Sequence, residues 1–452
     1  MVWYRDLRNK RLFTEAEKDW TSRRLLDLRA QLKSPAPKGV PRKTRDSSLI
    51  IGTWNLRDFD NNKFRHGPRR QESLFYIAEI LSSFDVCAIQ EVNEDLGPLK
   101  DVIRLMGPEW NFIATDVTVG ASGNRERMVF VYDTHKVRFR NVAGEVVLPK
   151  HALLPDEQQF ARTPFMVSFQ AGWFKFTLCT VHIYFGEDSK NSEGYKRRVS
   201  EIEYIAEEMA RRAKREDENY VLLGDFNIKN TVDETMKALT KANFQLPPEL
   251  FPSNVLGTKY YDQIAFRTRA DEVTFLSAGA FNFTDTLFKP EHYSHYAPAL
   301  PARHRDLLED GKPKDEKADK EYYKKRWMTW QMSDHIPLWV ELAIDFSDEH
   351  LLHNLSADFE NTDTPAQLEI DDLDTSPVPP TLPDAKSKTR RKAPKVARKE
   401  KRGTIYPISK LTFKEAWKIF WWVASGKSDR FKRERRNAQH TEPPEKVKTP
   451  KS

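Results

Sequence analysis

Short apolar runs of strand length recur along the first three quarters of the chain, and each carries or leads into an asparagine, an acid or a histidine. The runs and their polar residues are 50–54 with Asn55, 86–90 with Glu91, 178–181 with His182, 221–224 with Asp225 and Asn227, 260–264 with Asp262, and 333–337 with Asp334 and His335. Apolar runs of this length predict buried strands. Because the ends of strands on a rigid sheet bring side chains to one cleft, the pattern predicts a shared polar site.

Other segments predict helices and further strands around these runs. Thr14 and Glu17 have the spacing of a capping box, and apolar residues at helical spacing follow, so a helix is expected over 15–32. Further helices are predicted over 71–82 and 193–215, and further strands over 112–115, 128–132 and 173–177. Many short strands with helices between them are typical of an α/β (α+β) domain in which two sheets stack.

Composition divides the chain into four segments. They are an N-terminal helix and linker (1–47), a main domain (48–346) with an insertion at about 286–331, a disordered linker that is first acidic and then basic (347–409), and a short Trp-rich helix with a basic tail (410–452). The insertion is predicted to contain a helix that ends just before Ser333. Its basic residues alternate with aromatic ones, which suits either a surface that tracks a nucleic-acid backbone or a helix with buried aromatics and a solvated basic face.

Charge, hydrophobic runs and cysteine content indicate a protein without a membrane span, with a basic C-terminal segment and two buried thiols. The 452 residues are 39% hydrophobic and 31% charged, with a net charge of +7. Residues from Ala385 onward carry 22 Lys/Arg and 6 Asp/Glu, which is +16, so the rest of the chain carries −9. No apolar run reaches the ~18 residues of a membrane span and no secretory signal is evident, so a cytoplasmic location is expected. Cys87 and Cys179 lie within apolar runs and are predicted to be buried thiols.

The polar residues of these runs suit hydrolysis at phosphorus. That reaction needs a cation to neutralise developing charge, a base to activate water and a stabilised leaving oxygen. Glu91 and Asp334 are predicted metal ligands, since carboxylates suit Mg²⁺ and Mn²⁺. Asn55, Asp225 and Asn227 are expected to complete the ligand set or to hold phosphate oxygens and water.

Two histidines and one arginine complete the predicted site. An imidazole needs a carboxylate that fixes its tautomer, and we predict the pairs Glu126–His182 and Asp262–His335. Each imidazole is expected to act as a base or acid, or to bind a phosphate oxygen. Arg162 is predicted to donate to a phosphate or to brace its loop.

The order of these motifs resembles the endonuclease/exonuclease/phosphatase superfamily over about residues 48–345. The motifs are Trp-Asn-Leu (54–56), Ile-Gln-Glu-Val (89–92), Glu-Arg (126–127), Arg-x-Pro (162–164), Val-His (181–182), Gly-Asp-Phe-Asn (224–227), Tyr-Asp-Gln-Ile (261–264) and Ser-Asp-His-x-Pro (333–337). Segments 90–92, 126–127, 160–164 and 261–264 are most similar to the pancreatic-type deoxyribonuclease branch. The resemblance implies a four-layer α/β/β/α sandwich of mixed sheets and metal-dependent phosphoester cleavage. It assigns Asn55, Glu91, Asp225, Asn227 and Asp334 to metal and phosphate, with His182 and His335 flanking the scissile phosphorus.

These observations predict an intracellular, monomeric nuclease that uses Mg²⁺ or Mn²⁺, in first place an endonuclease that cleaves DNA. The +16 tail favours a polyanionic partner. Secreted deoxyribonucleases carry a signal peptide and disulfides, which this sequence does not show. The alternative is a phosphoesterase acting on phosphoinositides, sphingomyelin-type lipids or small phosphoesters, because tryptophans and lysines in 411–436 suit an anionic membrane or a partner protein. A non-catalytic binding module would require the loss of an essential group, and none of the predicted groups is missing.

Overall fold

Two mixed β-sheets form the centre of the computed structural model, which describes residues 2–60, 64–117, 125–148, 153–154, 159–269, 272–301, 316–352 and 354. The strands are β1 Ser48–Phe59, β2 Val86–Val92, β3 Trp110–Ala114, β4 Arg127–Asp133, β5 Arg138–Glu145, β6 Phe165–Ala171, β7 Phe174–His182, β8 Asn219–Asp225, β9 Asp262–Arg267, β10 Thr274–Ala280 and β11 Leu338–Ala343. The first sheet has the order β10-β11-β1-β2-β4-β3, and the second has the order β5-β6-β7-β8-β9. β1 with β2 and β7 with β8 pair in parallel, and the other neighbours are antiparallel.

The helices lie before, between and after these strands. They are α1 Glu15–Leu32, α2 Gln71–Leu81, α3 Gly97–Met106, α4 Glu193–Glu216, α5 Glu234–Lys241, α6 Tyr293–Tyr296, α7 Glu316–Tyr322, α8 Met328–Gln331 and α9 Ser347–Leu352. A five-residue π-helical turn, Tyr323–Trp327, joins α7 to α8. Short 3₁₀ turns cover Tyr4–Arg8, Phe283–Asp285, Pro290–His292 and Ala297–Ala299.

Side-chain alternation along the strands builds three apolar layers and therefore four layers of backbone. In β1, Ile51 faces the second sheet, whereas Ile50 faces α2 and α3. In β7, Leu178 faces the first sheet, whereas Cys179 faces α4 and α5. The predicted α/β/β/α sandwich of two mixed sheets is confirmed.

The N-terminal helix extends the outer layer on the first sheet. Its capping box is present: the Glu17 N–H donates to Thr14 Oγ1 at 3.2 Å, and the Thr14 N–H donates to Glu17 Oε2 at 2.9 Å. Leu28 of α1 is fully buried in the same apolar cluster as α2. Trp20 stacks on His295 of the insertion with ring centroids 3.8 Å apart. Helix α1 thus packs on both the outer layer and the insertion.

The predicted helices over 15–32, 71–82 and 193–215 correspond closely to α1, α2 and α4, and the insertion helix ends at Gln331, before Ser333. Two of the runs differ from the prediction. Residues 260 and 261 precede β9, so Asp262 begins a strand, and residues 333–337 precede β11. Because these strands run antiparallel to their neighbours, their beginnings meet the ends of β8 and β1. The sequence did not predict β5, β6, β10, α3 or α5.

Both cysteines are buried, as predicted, and burial raises the pKa of Cys179 to about 12 and the pKa of Cys87 above its ordinary value. The described helices include none that is both long and apolar enough to cross a bilayer. The predicted disordered linker beyond residue 354, the Trp-rich helix and the basic tail lie outside the described residues. The domain boundaries, the cytoplasmic location and the monomeric state stay predictions.

Candidate active site

Three neighbouring strands of the second sheet each place one polar residue at the same level. β7 pairs with β8 so that His182 lies beside Asp225, and β8 pairs with β9 so that Asp225 lies beside Asp262. Gly224 permits this close approach, because its φ is +130° and a Cβ atom there would lie 2.2 Å from the Val181 carbonyl oxygen. The sheet register therefore brings together an imidazole and two carboxylates that are far apart in sequence.

His182 forms the first predicted pair with Glu126. His182 Nδ1 lies 3.0 Å from Glu126 Oε2, and Arg162 Nε donates to the same oxygen at 3.0 Å. Burial raises the pKa of Glu126, but His182 and Arg162 outweigh burial and lower that pKa to about 2. Burial and Arg162 lower the pKa of His182, whereas Glu126 and Asp225 raise it above its ordinary value. Arg162 thus braces Glu126, and its predicted roles of donating to a phosphate or bracing its own loop stay predictions.

His335 forms the second predicted pair with Asp262. His335 Nδ1 lies 2.7 Å from Asp262 Oδ2, and the Asp262 carboxylate is fully buried. The His335 backbone is fixed as well, since its N–H donates to Ser333 Oγ at 3.0 Å and its carbonyl accepts from Trp54 Nε1 at 2.9 Å. Burial lowers the pKa of His335, but Asp262 and Asp225 raise it well above its ordinary value.

The two imidazoles face each other across Asp225. His182 Nε2 lies 3.6 Å and His335 Nε2 lies 3.9 Å from the same oxygen, Asp225 Oδ2. That oxygen also accepts from Asn55 Nδ2 at 3.1 Å, and Asp225 Oδ1 accepts from the Asn227 N–H at 2.8 Å. The Asp225 carboxylate is therefore held in one orientation between the two Nε2 atoms. These are the ring nitrogens that do not face Glu126 or Asp262.

An acidic cluster that the sequence predicted only in part lies beside His182. Asp58, Glu91 and Glu126 each offer a carboxylate oxygen, and these oxygens lie within 4.8 Å of one another. Burial raises the pKa of Glu91; Glu126 and Asp58 also raise it, against the opposing effect of His182. Closely spaced, largely buried carboxylates need a compensating positive charge, and hard oxygen donors suit a divalent cation such as Mg²⁺ or Mn²⁺.

Asp58 reaches this cluster because β1 is irregular. The β1–β2 register shifts between Asn55 and Phe59, and φ is +43° at Arg57 and +48° at Asp58. Such bulges redirect side chains and are frequent beside functional sites. The Asp58 N–H donates to Glu91 Oε2 at 2.8 Å. Regular alternation would place residue 58 on the face opposite Asn55, so the strand pattern could not have found it.

Asn55 connects the acidic cluster to Asp225. Its Nδ2 donates to Glu91 Oε1 at 2.8 Å as well as to Asp225, and its Oδ1 accepts from the Arg57 N–H at 2.9 Å. In this arrangement the two carboxylates accept both amide hydrogens, so Asn55 ties the acidic cluster to Asp225. The metal-ligand role of Asn55 stays a prediction.

Asp334 lies at the opening of the site, outside the acidic cluster. Its side chain is 48% exposed, and its Oδ2 lies 3.9 Å from Arg57 Nε. Together with His335 it lines a neighbouring cavity. The structure therefore places Asp334 beside the site, and its predicted role as a metal ligand stays a prediction.

Asn227 and Arg198 organise the loops that follow β7 and β8. Asn227 Nδ2 donates to the Ile183 carbonyl at 2.8 Å, and Arg198 Nη1 donates to the Asn227 carbonyl at 3.3 Å. The sequence did not predict Arg198. A signal existed, because Arg198 lies on the buried stripe of α4 with Ile202 and Ile205, where an arginine needs polar partners.

Comparison with known proteins yields matches among solved structures alone: no protein-family profile and no curated protein sequence matches this chain. An endonuclease/exonuclease/phosphatase family protein from Bacteroides thetaiotaomicron is 18% identical over 66% of this chain and 98% of its own, with a TM-score of 0.42. A mannosyl-6-phosphatase from the same organism is 18% identical, covering 65% and 99%, with a TM-score of 0.41. Zebrafish (D. rerio) TDP2 complexed with a single-stranded DNA product is 14% identical, covering 66% and 99%, with a TM-score of 0.38. The first description names the superfamily that the motif order resembles. The deoxyribonuclease branch stays a prediction.

Proposed function

We propose that this chain is a divalent-metal-dependent phosphodiester hydrolase whose substrate is nucleic acid, in first place DNA. One observation carries the proposal: two imidazoles, each oriented by its own carboxylate, face one shared carboxylate beside an acidic cluster. A fold alone does not imply an activity, so the proposal depends on these side chains.

Glu91 and Asp58, with Glu126 adjacent, are the residues that would hold the cation. When bound there, a divalent cation supplies positive charge that neutralises the charge developing on a phosphate. Asn55 holds Glu91 in place and connects it to Asp225 by donating to both carboxylates. Glu126 also orients His182, so the cluster and the first histidine pair are one connected unit.

The two imidazole Nε2 atoms are the groups that move or hold protons. His182 Nδ1 lies 3.0 Å from Glu126 and His335 Nδ1 lies 2.7 Å from Asp262, so each Nε2 is the ring nitrogen on the side of Asp225. In the proposed reaction a water attacks phosphorus, one Nε2 accepts its proton, and the other Nε2 donates to a phosphate oxygen or the leaving oxygen. Asp225, which accepts from Asn55 and Asn227, orients both rings and the water.

A substrate panel tests the proposal. Purified protein is incubated with Mg²⁺ or Mn²⁺ and with supercoiled plasmid, single-stranded DNA, RNA, bis(p-nitrophenyl) phosphate, phosphoinositide vesicles and sphingomyelin vesicles. We expect cleavage of the nucleic acids and of the small diester that EDTA abolishes. His182→Ala should lose the activity, and the matched control His135→Ala, an exposed histidine before β5, should retain it. Turnover of lipids without turnover of nucleic acid would favour the alternative, and no turnover with any divalent metal would refute the proposal.

A further inference from the structure

A cavity of about 490 Å³ opens beside the second histidine pair. His335 and Asp334 line one side of it, and Tyr261, whose ring lies 5.4 Å from the His335 ring, lies next to them. Other lining residues come from the insertion, which carries none of the motifs on which the resemblance depends. The cavity thus joins residues of the candidate site to the insertion.

The wall of the cavity is a π-helical turn held by buried aromatic rings. Tyr323 and Trp327, at the two ends of the turn, are each 1% exposed. Trp327 packs against Phe288 and Tyr296 at centroid distances of 5.9 and 5.3 Å, and the Tyr323 hydroxyl donates to the Lys289 carbonyl at 3.0 Å. Such wide turns within helices are frequent at functional sites. The aromatics of the insertion are therefore anchors, as the second of the two sequence interpretations expected.

The three residues between these anchors are exposed cations that line the cavity: Lys324, Lys325 and Arg326. Lys325 pairs with Glu321 at 2.6 Å, whereas Lys324 and Arg326 form no ion pair with another residue in the described part of the chain. With Lys289, the described lining has four cations against one carboxylate, Asp334. The chain outside the tail carries −9, so a concentration of positive charge here favours an anionic ligand.

The remaining wall is apolar. Phe288, Met328, Val255 and Leu256 also line the cavity. Phosphate groups alone would use the cationic wall and leave this apolar surface wet. A group that combines a phosphate with a flat, largely apolar ring system would use both, and the volume is in the range of small-molecule sites.

We propose that this cavity is a subsite for the nucleotide next to the scissile phosphate of a nucleic-acid strand. Lys324 and Arg326 bind its phosphate, and its base lies against Val255 and Leu256, the more exposed apolar residues of the lining. A base enclosed in this way cannot remain paired, so the subsite selects single-stranded or frayed strands over intact duplex. The inference depends on the proposed function, since it names the substrate of the same site.

Binding of a short fluorescent single strand, measured by anisotropy in the absence of divalent metal, tests the subsite directly. We expect Lys324→Ala/Arg326→Ala to weaken binding at least about tenfold and to reduce the slope of log K against log salt by roughly 0.7, the value for one lost phosphate contact on a single strand. The matched control is Lys317→Ala/Lys320→Ala, which removes the same charge from α7 outside the cavity lining. All four side chains are exposed, and thermal melting verifies that both variants fold.

Two further readouts separate this inference from the proposed function. The small diester bis(p-nitrophenyl) phosphate lacks the neighbouring phosphate that Lys324 and Arg326 would bind, so Lys324→Ala/Arg326→Ala should change its cleavage much less than it raises KM for oligonucleotide. If wild type cleaves nothing, the proposed function fails, yet strand binding still reports on the subsite.

Wild type should bind single strand about tenfold more tightly than blunt duplex, as stacking of an enclosed base would give. Equal strand binding by the cavity and control variants, equal affinity for single strand and duplex, or loss of phosphoinositide-vesicle binding in place of strand binding would overturn the inference.

Discussion

The two histidine–carboxylate pairs have similar distances but differ in what supports the carboxylate. In the His182 pair, Glu126 is also bound by Arg162, and its pKa is lowered to about 2. In the His335 pair, Asp262 has no lysine or arginine within ion-pair distance among the described residues, and burial raises its pKa. The charge on Asp262 thus depends on the proton of His335, whereas the charge on Glu126 has a second, permanent partner.

Because of this difference, loss of the carboxylate charge is expected to have different consequences in the two pairs. Removal of the Glu126 charge leaves a buried guanidinium without its partner, since Arg162 is only 9% exposed. Removal of the Asp262 charge leaves an imidazole that can become neutral by losing its proton. The first loss is expected to affect both stability and catalysis, and the second mainly catalysis.

Asp225→Asn should produce the largest loss of activity, because Asp225 is the residue that the two pairs share. We expect kcat on a DNA strand to fall about 10³- to 10⁴-fold, since both Nε2 atoms lose the acceptor between them. Its melting temperature should also fall, because the asparagine NH2 replaces the acceptor of Asn55 Nδ2, so kcat is compared well below that temperature. The matched control is Asp348→Asn on the exposed face of α9. Retention of more than about a tenth of the activity would show that the pairs act independently of Asp225.

Glu126→Gln and Asp262→Asn test the contrast between the pairs directly. Each should lower kcat about 10²- to 10³-fold, because an amide in place of the carboxylate no longer fixes the imidazole tautomer. Glu126→Gln should also lose about 3 kcal/mol of unfolding free energy by leaving Arg162 unpaired, and Asp262→Asn should lose much less. Chemical denaturation measures both values.

A double variant controls for the cause of that instability. Glu126→Gln/Arg162→Met removes the unpaired guanidinium and should recover part of the stability but none of the activity. Equal unfolding free energies for the two single variants would mean that Arg162 does not distinguish the pairs.

The strand pattern predicted two stacked sheets and a polar residue at each run, because apolar runs of strand length are local signals. The histidine pairs came from the need of an imidazole for an orienting carboxylate and from the resemblance, which also implied the four layers. His182, Asp225 and Asp262 meet through sheet register, which the sequence does not encode locally, yet a polar residue at each run was enough to propose them. The sequence did not predict Asp58, because its position depends on an irregular stretch of backbone and not on a regular strand. It depends on a bulge with left-handed backbone at Arg57 and Asp58, and the regular strand period assigns it to the wrong face.

The insertion shows a second limit of sequence reasoning. Alternation of basic and aromatic residues in 322–330 was compatible with either base stacking or a solvated helix. The structure separates the aromatic from the basic residues: Tyr323 and Trp327 lie in the core, and Lys324 and Arg326 line the cavity. Tyr323 and Trp327 lie four residues apart, a spacing that shares one face of an α-helix, so periodicity allowed this separation but could not show that the basic face lines a cavity.

Glu91→Gln tests whether the acidic cluster, which lies on the His182 side of the site, binds the cation. Glu91 Oε1 is 3.8 Å from His182 Nε2. Burial raises the folded-state pKa of Glu91, so the stability it contributes when protonated is lost as pH rises through that pKa. At neutral pH without metal, the glutamine variant should therefore melt at a higher temperature than wild type.

Magnesium provides the second half of the same prediction. A ligand that binds only the folded state raises the melting temperature, so Mg²⁺ should stabilise wild type and have a much smaller effect on Glu91→Gln. Activity at saturating metal should fall about 10- to 100-fold. Wild-type protein whose melting temperature does not respond to Mg²⁺ or Mn²⁺ would contradict cation binding by this cluster.

Arg162→Lys should have the smallest effect, about 3- to 10-fold in kcat, because lysine keeps the charge near Glu126 but cannot reproduce the two-nitrogen contact. Arg162 is a positioning residue that acts through Glu126, so its effect should depend on which pair is already impaired. Combined with Glu126→Gln, the substitution should cost little further activity, since its partner is gone. Combined with Asp262→Asn, the two losses should multiply, since the substitutions affect different pairs. If the losses of kcat multiplied with both Glu126→Gln and Asp262→Asn, Arg162 would act on the substrate and not through Glu126. The proposed difference between Glu126, which Arg162 binds, and Asp262, which has no such partner, would then not hold.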